Sequence, residues 1–561
     1  MRRRFDVLLP LIASVLALSA VAPAGAQPVP DAGRVQRDTV PQPLPAPKPQ
    51  VPLDLSSPQG EPPQTGGASV TIEGVNFSGN ALLGSDVLLA AVRDLLNKPL
   101  DLAGLRSIAE RVTERYRVAG YPFARGYLLP QEIKAGVLQV GVVEGRYGRI
   151  DVVGDERLAP LAAPFLATLA SGDPIASVPL ERRLLVLADQ PGVAVSALIR
   201  SGAAEGEGDL QVTVSRAARM RFDLATDNYG SRYTGEHRLR LDAEFDSPFG
   251  LGDQFVLRGI VSDEDLWLGS LGYGRPIGAS GLRASLSFSR TAYELGDAFA
   301  ALGASGTADV TAVSTSYPLI RTPAANLGLS ATVQRKVLQD ELRVVDSNER
   351  KSSWSVPIGV QFDNRGETGS LTYGALSFTI GQLSLRGDAL KVDSTSGRNA
   401  EGGFRKWNLD IARLQPFGQS RLSAFVRVAA QRADRNLDSS EKFSLGGPTA
   451  IRAYPTGEGN GDEGIYAQLE LRVNAGALSP FAFYDMGTVD INARIANLEV
   501  SPPKLTRSVS GVGVGVRWDR QGWNAEALAA WPVDGGAAQA ETGSGSPRVW
   551  MNLHYRFGAQ R

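Results

Sequence analysis

The chain has no cysteine, and its 561 residues include only two histidines, His237 and His554. Disulfides, thiol nucleophiles and cysteine-based zinc sites are excluded, and a histidine-based triad has almost nothing to draw on. No glycine is followed by lysine, so the GxxxxGK[ST] phosphate loop cannot occur, and no GxSxG elbow is present. The single GxGxxG, Gly459-Asn-Gly461-Asp-Glu-Gly464, is not followed by a helical pattern and no βαβ unit surrounds it. An excess of either charge is also missing. Lys plus Arg is 58 and Asp plus Glu is 59, a net charge of −1, which argues against a basic surface for nucleic acid. These absences predict no enzyme activity, no metal and no cofactor. Long apolar runs are lacking too: beyond the N-terminal region the longest, 158–170, contains two prolines and is too short for a spanning helix. Glycine is plentiful, 62 residues, as expected of a chain with many tight turns.

Arg2, Arg3 and Arg4 precede a mostly apolar stretch, 7–21, and Ala24-Gly25-Ala26 offers the small residues of a cleavage site, so 1–26 reads as a secretory signal peptide. Residues 27–69 hold 11 of the 34 prolines and read as a linker. Within it 31–39 can form a short helix, which needs a docking site to be stable.

Residues 70–144 change character. Alternation at 70–75, helical periodicity at 82–96 and 102–118, an extended stretch at 121–129 and alternation at 137–143 give the order β-α-α-β-β. Residues 145–216 repeat it, with strands at 148–153, 193–199 and 209–214 and helical stretches at 158–169 and 180–188. Tandem copies of one unit is the reading, two unrelated α+β lobes the alternative.

From 217 to 561 helical patterning stops. Leu239, Leu241, Ala243 and Phe245 alternate with Arg238, Arg240, Asp242 and Glu244; Trp407, Leu409 and Ile411 alternate with Asn408 and Asp410. A soluble sandwich shows the same dyad pattern strand by strand. An exported segment of this length, with no helical layer to cover a sheet, instead predicts a transmembrane antiparallel β-barrel, apolar faces outward and charged faces in the lumen. At roughly 20 to 22 residues per strand and loop it accommodates about 16 strands. In the last strand Val549, Met551, Leu553, Tyr555 and Phe557 share the outward face, which leaves His554 in the lumen as an ordinary polar residue. His237 reads as equally unremarkable.

Three motifs carry a family resemblance. The run Gly120-Tyr121-Pro-Phe-Ala124-Arg125-Gly-Tyr127-Leu-Leu-Pro130-Gln131, Ile451-Arg452-Ala453-Tyr454 in a glycine-rich stretch, and Tyr484-Asp485-Met486-Gly487 together resemble the outer-membrane transporters of two-partner secretion (TpsB), which export haemolysin- and filamentous-haemagglutinin-like proteins. The resemblance covers essentially all of the mature chain and implies two POTRA domains, 70–144 and 145–216, and a barrel over 217–561. The run from Gly120 is similar to the signature of the family's first POTRA domain, with Leu129 where proline is usual. Packing of a small sheet by Tyr121, Phe123 and Tyr127 is the simpler account of those side chains. The run from Ile451 resembles the family's VRG[FY] tip on an inward-folded loop, Ala453 replacing a glycine. The run from Tyr484 is similar to the strand whose aspartate pairs with that arginine, so Arg452 and Asp485 are expected to lock loop to barrel; a solvated arginine and an unrelated turn aspartate is the alternative. The Gly558-Ala-Gln-Arg561 tail departs from a family that tends to stop at the aromatic.

The function implied is a pore that captures an unfolded exoprotein through periplasmic POTRA domains and passes it to the cell surface without nucleotide, with the helix at 31–39 as a pore plug. Its partners are then a TpsA-like adhesin or haemolysin, outer-membrane lipid and the barrel-assembly machinery. The rival readings are a barrel-insertion factor of the same superfamily and a passive porin.

Overall fold

The structure is a computed structural model that describes residues 29–40, 47, 69–395, 398–494, 506–541 and 545–557. The segment expected to be a signal peptide, most of the proline-rich stretch and the 558–561 tail lie outside those residues.

In the first domain Gly74–Ser78 runs parallel to Val137–Val143, which pairs antiparallel with Arg125–Leu128. Helices Ser85–Val92 and Leu102–Val118 cover this sheet. The helical spacing of Leu88 with Val92, and of Ile108, Val112 and Tyr116, puts those side chains on one face, where they bury against Leu138 and Val140. Asp101 caps the longer helix by accepting from the Gly104 amide at 2.9 Å, and Gly120, at φ +90°, ends it. The second domain repeats the topology. Arg146–Gly154 runs parallel to Glu207–Arg216, which pairs antiparallel with Val193–Ser201 under helices Ala159–Leu166 and Ser177–Ala188.

Three segments differ from the sequence reading. The strand expected over 70–75 is broken: Val70–Thr71 pairs with Pro99–Leu100, and the main sheet begins at Gly74. The helix expected over 82–96 starts only at Ser85 and finishes in a 3₁₀ turn, Arg93–Leu95, before Asn97 turns the chain at φ +59°. The strand expected over 121–129 starts at Arg125, because Pro122 has no amide proton and the Tyr121 and Ala124 amides bond to Tyr116 and Tyr121 carbonyls in a turn.

The barrel strands are β1 Met220–Asp227, β2 Arg238–Asp246, β3 Gln254–Ser262, β4 Trp267–Pro276, β5 Arg283–Glu294, β6 Ala304–Arg321, β7 Ala325–Leu342, β8 Ser347–Arg365, β9 Leu371–Leu385, β10 Gly402–Pro416, β11 Leu422–Ala433, β12 Glu463–Val473, β13 Leu478–Asp490, β14 Thr506–Arg520, β15 Trp523–Asp534 and β16 Arg548–Phe557. These 16 strands form one closed antiparallel sheet. The last closes on the first, from Asn552 opposite Asp227 to Phe557 opposite Phe222, so the barrel has no free strand edge.

Leu239, Leu241, Leu286, Phe288, Val512, Val514, Val549 and Met551 are exposed on the outer face. Alternate residues pair inside: Arg221 with Glu244, Arg258 with Asp242, Arg427 with Asp410 at 2.6 Å. Among the described residues no helix is long and apolar enough to cross a membrane, and the apolar band lies on the strands. The second domain is fixed to one rim: Arg321 donates to both Asp189 oxygens at 2.8 and 2.9 Å, and Arg182 to the Pro318 carbonyl at 2.7 Å. Unheated protein in SDS should therefore migrate apart from heated protein and give a β-dominated circular dichroism spectrum; identical mobility, or solubility without detergent, would reject the membrane barrel.

Candidate functional site

Residues 434–462 join β11 to β12 and fold into the barrel, with Ile451, Arg452, Ala453 and Tyr454 all buried at their tip. The reversal is made by the Gly447 amide donating to the Tyr454 carbonyl at 3.0 Å and the Ile451 amide to the Leu445 carbonyl at 2.8 Å. Left-handed backbone is taken by Gly447 and Gly457, at φ +115° and +85°, and not by Ala453, so an alanine is tolerated where the resemblance calls for glycine.

Arg452 meets Asp485 of β13 along one edge of its guanidinium. Nε and Nη2 donate to the two carboxylate oxygens at 2.8 and 2.7 Å, and the Arg452 amide adds a third bond at 3.1 Å. The pair is more than the expected two-residue contact. Nη1 reaches Glu470 of β12, which also accepts from Arg472 at 2.7 Å and Arg517 at 3.1 Å. The guanidinium lies 3.6 Å from the centroid of the Phe483 ring, and Trp550 of β16 donates to the Arg452 carbonyl at 2.7 Å. Burial of one cation among two carboxylates and an aromatic face lets each hydrogen bond act in restricted solvent.

Glu458 makes a second anchor. Fully buried, it accepts from Arg507 of β14 at 2.7 Å and from the Gln539 and Ala540 amides at 2.8 and 2.7 Å. Tyr454 donates to the Asp534 carbonyl at 2.8 Å and Thr456 to the Tyr229 carbonyl at 2.9 Å.

Beside this loop lies the helix Ala32–Thr39. Asp31 caps it by accepting from the Arg34 amide at 3.0 Å, and Ala32 and Val35 bury against the inner-wall residues Ile260, Leu268 and Tyr293. Its other contacts are polar. Lys351 of β8 donates to Asp31 at 2.6 Å and Asp438 at 3.2 Å, while Arg37 donates to the Ser439 carbonyl at 2.7 Å and to Asn460 at 2.8 Å. Burial alone would raise the Asp31 carboxyl, but Lys351 and Ser439 hold it well below its ordinary range. Glu441 behaves alike: against its burial, Lys336 and Lys406 hold it down to about 2.

The first-domain signature residues pack one turn and one strand. Gly120 turns the chain and its carbonyl accepts from Ser177 of the second domain, Tyr121 meets Tyr116 edge-on, and Ala124 is buried. Arg125 and Tyr127 lie on the sheet's edge strand, Tyr127 against Gly141. Beyond Pro130, Gln131 extends that edge, donating to the Gln139 carbonyl and accepting from its amide, both at 2.7 Å. In the last strand Val549, Met551, Leu553 and Phe557 are exposed outward, and the Tyr555 ring packs at a tilt against Trp523. His554 bonds Asp223 at 2.6 Å and His237 bonds Asp263 at 2.9 Å. Glu470, Glu458 and Trp550 are the site residues that the motifs do not point to; only the alternation of Gln468, Glu470 and Arg472 marks Glu470 as lumen-facing.

A family model described as haemolysin secretion/activation protein ShlB/FhaC/HecB matches residues 206–518, and one described as POTRA domain, ShlB-type, matches 70–145. Similar relatives include the heme/hemopexin transporter protein HuxB of Haemophilus influenzae (strain 86-028NP), 25% identical over 482 residues, 84% of each chain. The outer membrane transporter CdiB of Dickeya dadantii (strain 3937) is 24% identical over 485 residues, 83% of each chain. Among solved structures, CdiB from Escherichia coli superposes with a TM-score of 0.66 at 20% identity, covering 91% of this chain and 94% of that one.

Proposed function

The chain belongs to the haemolysin secretion/activation family ShlB/FhaC/HecB, outer-membrane transporters with periplasmic POTRA domains, and on that footing we propose that it conducts an unfolded exoprotein to the cell surface. One observation carries the reading. Among the described residues two elements lie inside the barrel, the loop 434–462 and the helix Ala32–Thr39; each buries a few apolar side chains against the wall, and both are tied to it by side-chain hydrogen bonds and ion pairs. Such polar contacts exchange with water or with a passing chain, so the two elements can leave without unfolding the wall.

At the entrance, the first domain offers the edge strand Arg125–Leu128 and the second the edge strand Val193–Ser201. An extended segment added to such an edge gains main-chain hydrogen bonds whatever its sequence, which suits a cargo delivered unfolded. The sequence has no phosphate-binding loop to couple nucleotide hydrolysis, and folding outside supplies direction. Arg452 and Asp485 act as the lock that seats the loop, Ile451, Ala453 and Tyr454 as its tip, and the helix as a plug.

Disrupting the gene should leave one large secreted protein missing from the medium while other outer-membrane barrels stay at normal levels; a general loss of barrels would assign a barrel-insertion role instead. Deleting 70–144 should abolish secretion while the barrel still forms, and unimpaired secretion would remove the first domain from cargo capture.

A further inference from the structure

Arg452 is flanked by Ile451 and Ala453, and each of these side chains lies over a glycine of the wall. A Cβ placed on Gly487 of β13 would stand 3.0 Å from the Ile451 Cδ1, and one on Gly511 of β14 only 2.3 Å from the Ala453 Cβ. Carbon atoms in contact need about 3.5 to 4.0 Å, so the Gly511 seat has no room for a methyl from both sides. Gly511 lies where the pairing of β14 with β15 shifts register, between Ser510 and Gly511. Its φ lies outside the left-handed region, and space is what position 511 supplies.

The inward row of β14 continues in the same way. A Cβ on Gly513 would stand 2.2 Å from the Phe483 ring, and one on Gly515 2.5 Å from the Phe481 ring. Those rings carry the guanidinium groups of Arg452 and Arg517, at 3.6 and 4.1 Å from their centroids. The glycines form a trough in the wall, and the depth of that trough fixes the height of everything laid in it.

We propose that Gly511 is a positioning residue for the Arg452 loop: its missing side chain is the seat of the Ala453 methyl, and residues 453 and 511 together set the depth at which Arg452 meets Asp485. This deepens the reading of that loop as a lock, but its test requires no cargo.

Single-channel conductance of the full chain in planar bilayers reads the seating of the loop, and unheated gel mobility reports whether the barrel is closed. Gly511→Ala should raise conductance severalfold in a closed barrel. Ala453→Gly alone should stay near wild type, and the double variant should return Gly511→Ala to that level. The Trp531 carbonyl, 3.1 Å from the same Cβ position, is the competing source of crowding. A double variant as conductive as Gly511→Ala would assign the clash to that carbonyl and overturn the coupling. If Gly511→Ala fails to close its barrel, Ala453→Val adds the volume from the loop side with the wall intact; it should raise conductance severalfold, and wild-type conductance would overturn the proposal. Coupling seen in conductance together with normal export by Arg452→Ala would leave the seat standing and remove the lock.

Discussion

Arg452→Ala is expected to abolish export while the barrel still closes. The substitution leaves Asp485, with no exposed surface, without its guanidinium, and Glu470, 6% exposed, with Arg472 and Arg517 alone. Removing one partner of a buried ion pair costs about 3 to 5 kcal/mol, since the remaining charge is stranded out of water. That cost falls on the loop, because the wall is held by its own ladder of backbone hydrogen bonds, which Arg452 does not join. Arg452→Lys should rescue little: an ammonium cannot meet both Asp485 oxygens and Glu470 in one plane. Asp485→Ala should show a similar defect, and the double variant should be little worse than the more severe single, because the two residues act as a unit. Cargo in the medium, measured beside heat-modifiable mobility, checks this. Strictly additive defects, or normal secretion by Arg452→Ala, would show that the pair is not the lock.

Removing the helix should open the pore. Eight residues do not hold a helix alone in water, so Ala32–Thr39 exists because the lumen supplies its partners. Gly33 is one point of close approach: a Cβ there would stand 2.4 Å from the Ser439 Oγ and 2.8 Å from the Ser440 amide nitrogen. Deleting 27–50 should increase single-channel conductance, and Gly33→Leu, which cannot be seated against that backbone, should reproduce the increase in an otherwise intact chain. Unchanged conductance in both would reject plugging by this segment.

The barrel was legible from the sum of its strands: rows such as Leu239, Leu241 and Phe245 against Arg240, Asp242 and Glu244 show a two-faced sheet, and their repetition over some 345 residues with no helical layer to cover them puts the apolar face outside. The two small domains were legible as well, since each switches from period two to helical period and back. Their element ends were not, because Pro122, Gly84 and Asn97 act through single backbone positions that periodicity does not register. Arg452 beside Asp485 came from motifs. Glu470, Trp550 and Gly511 could not, because they reach the tip from strands whose register decides which residues stand opposite, such as Asp485 facing Gln468 on one side and Gly511 on the other. The helix was readable as a helix, but its seat depends on Lys351, Ser439 and Asn460, hundreds of residues away in the chain.

Passage of the cargo through the barrel lumen is open to site-specific photo-crosslinking. A photoreactive residue in place of Ser355 would lie on the inner face of β8, where the wild-type side chain is 1% exposed, and one in place of Leu376 would lie on the outer face of β9. With the cognate exoprotein stalled in mid-export by a tightly folded domain fused to its C-terminus, a protein-conducting lumen predicts crosslinks from position 355 to the cargo and none from 376. Stalled cargo that crosslinks to the periplasmic domains but never to position 355 would contradict it.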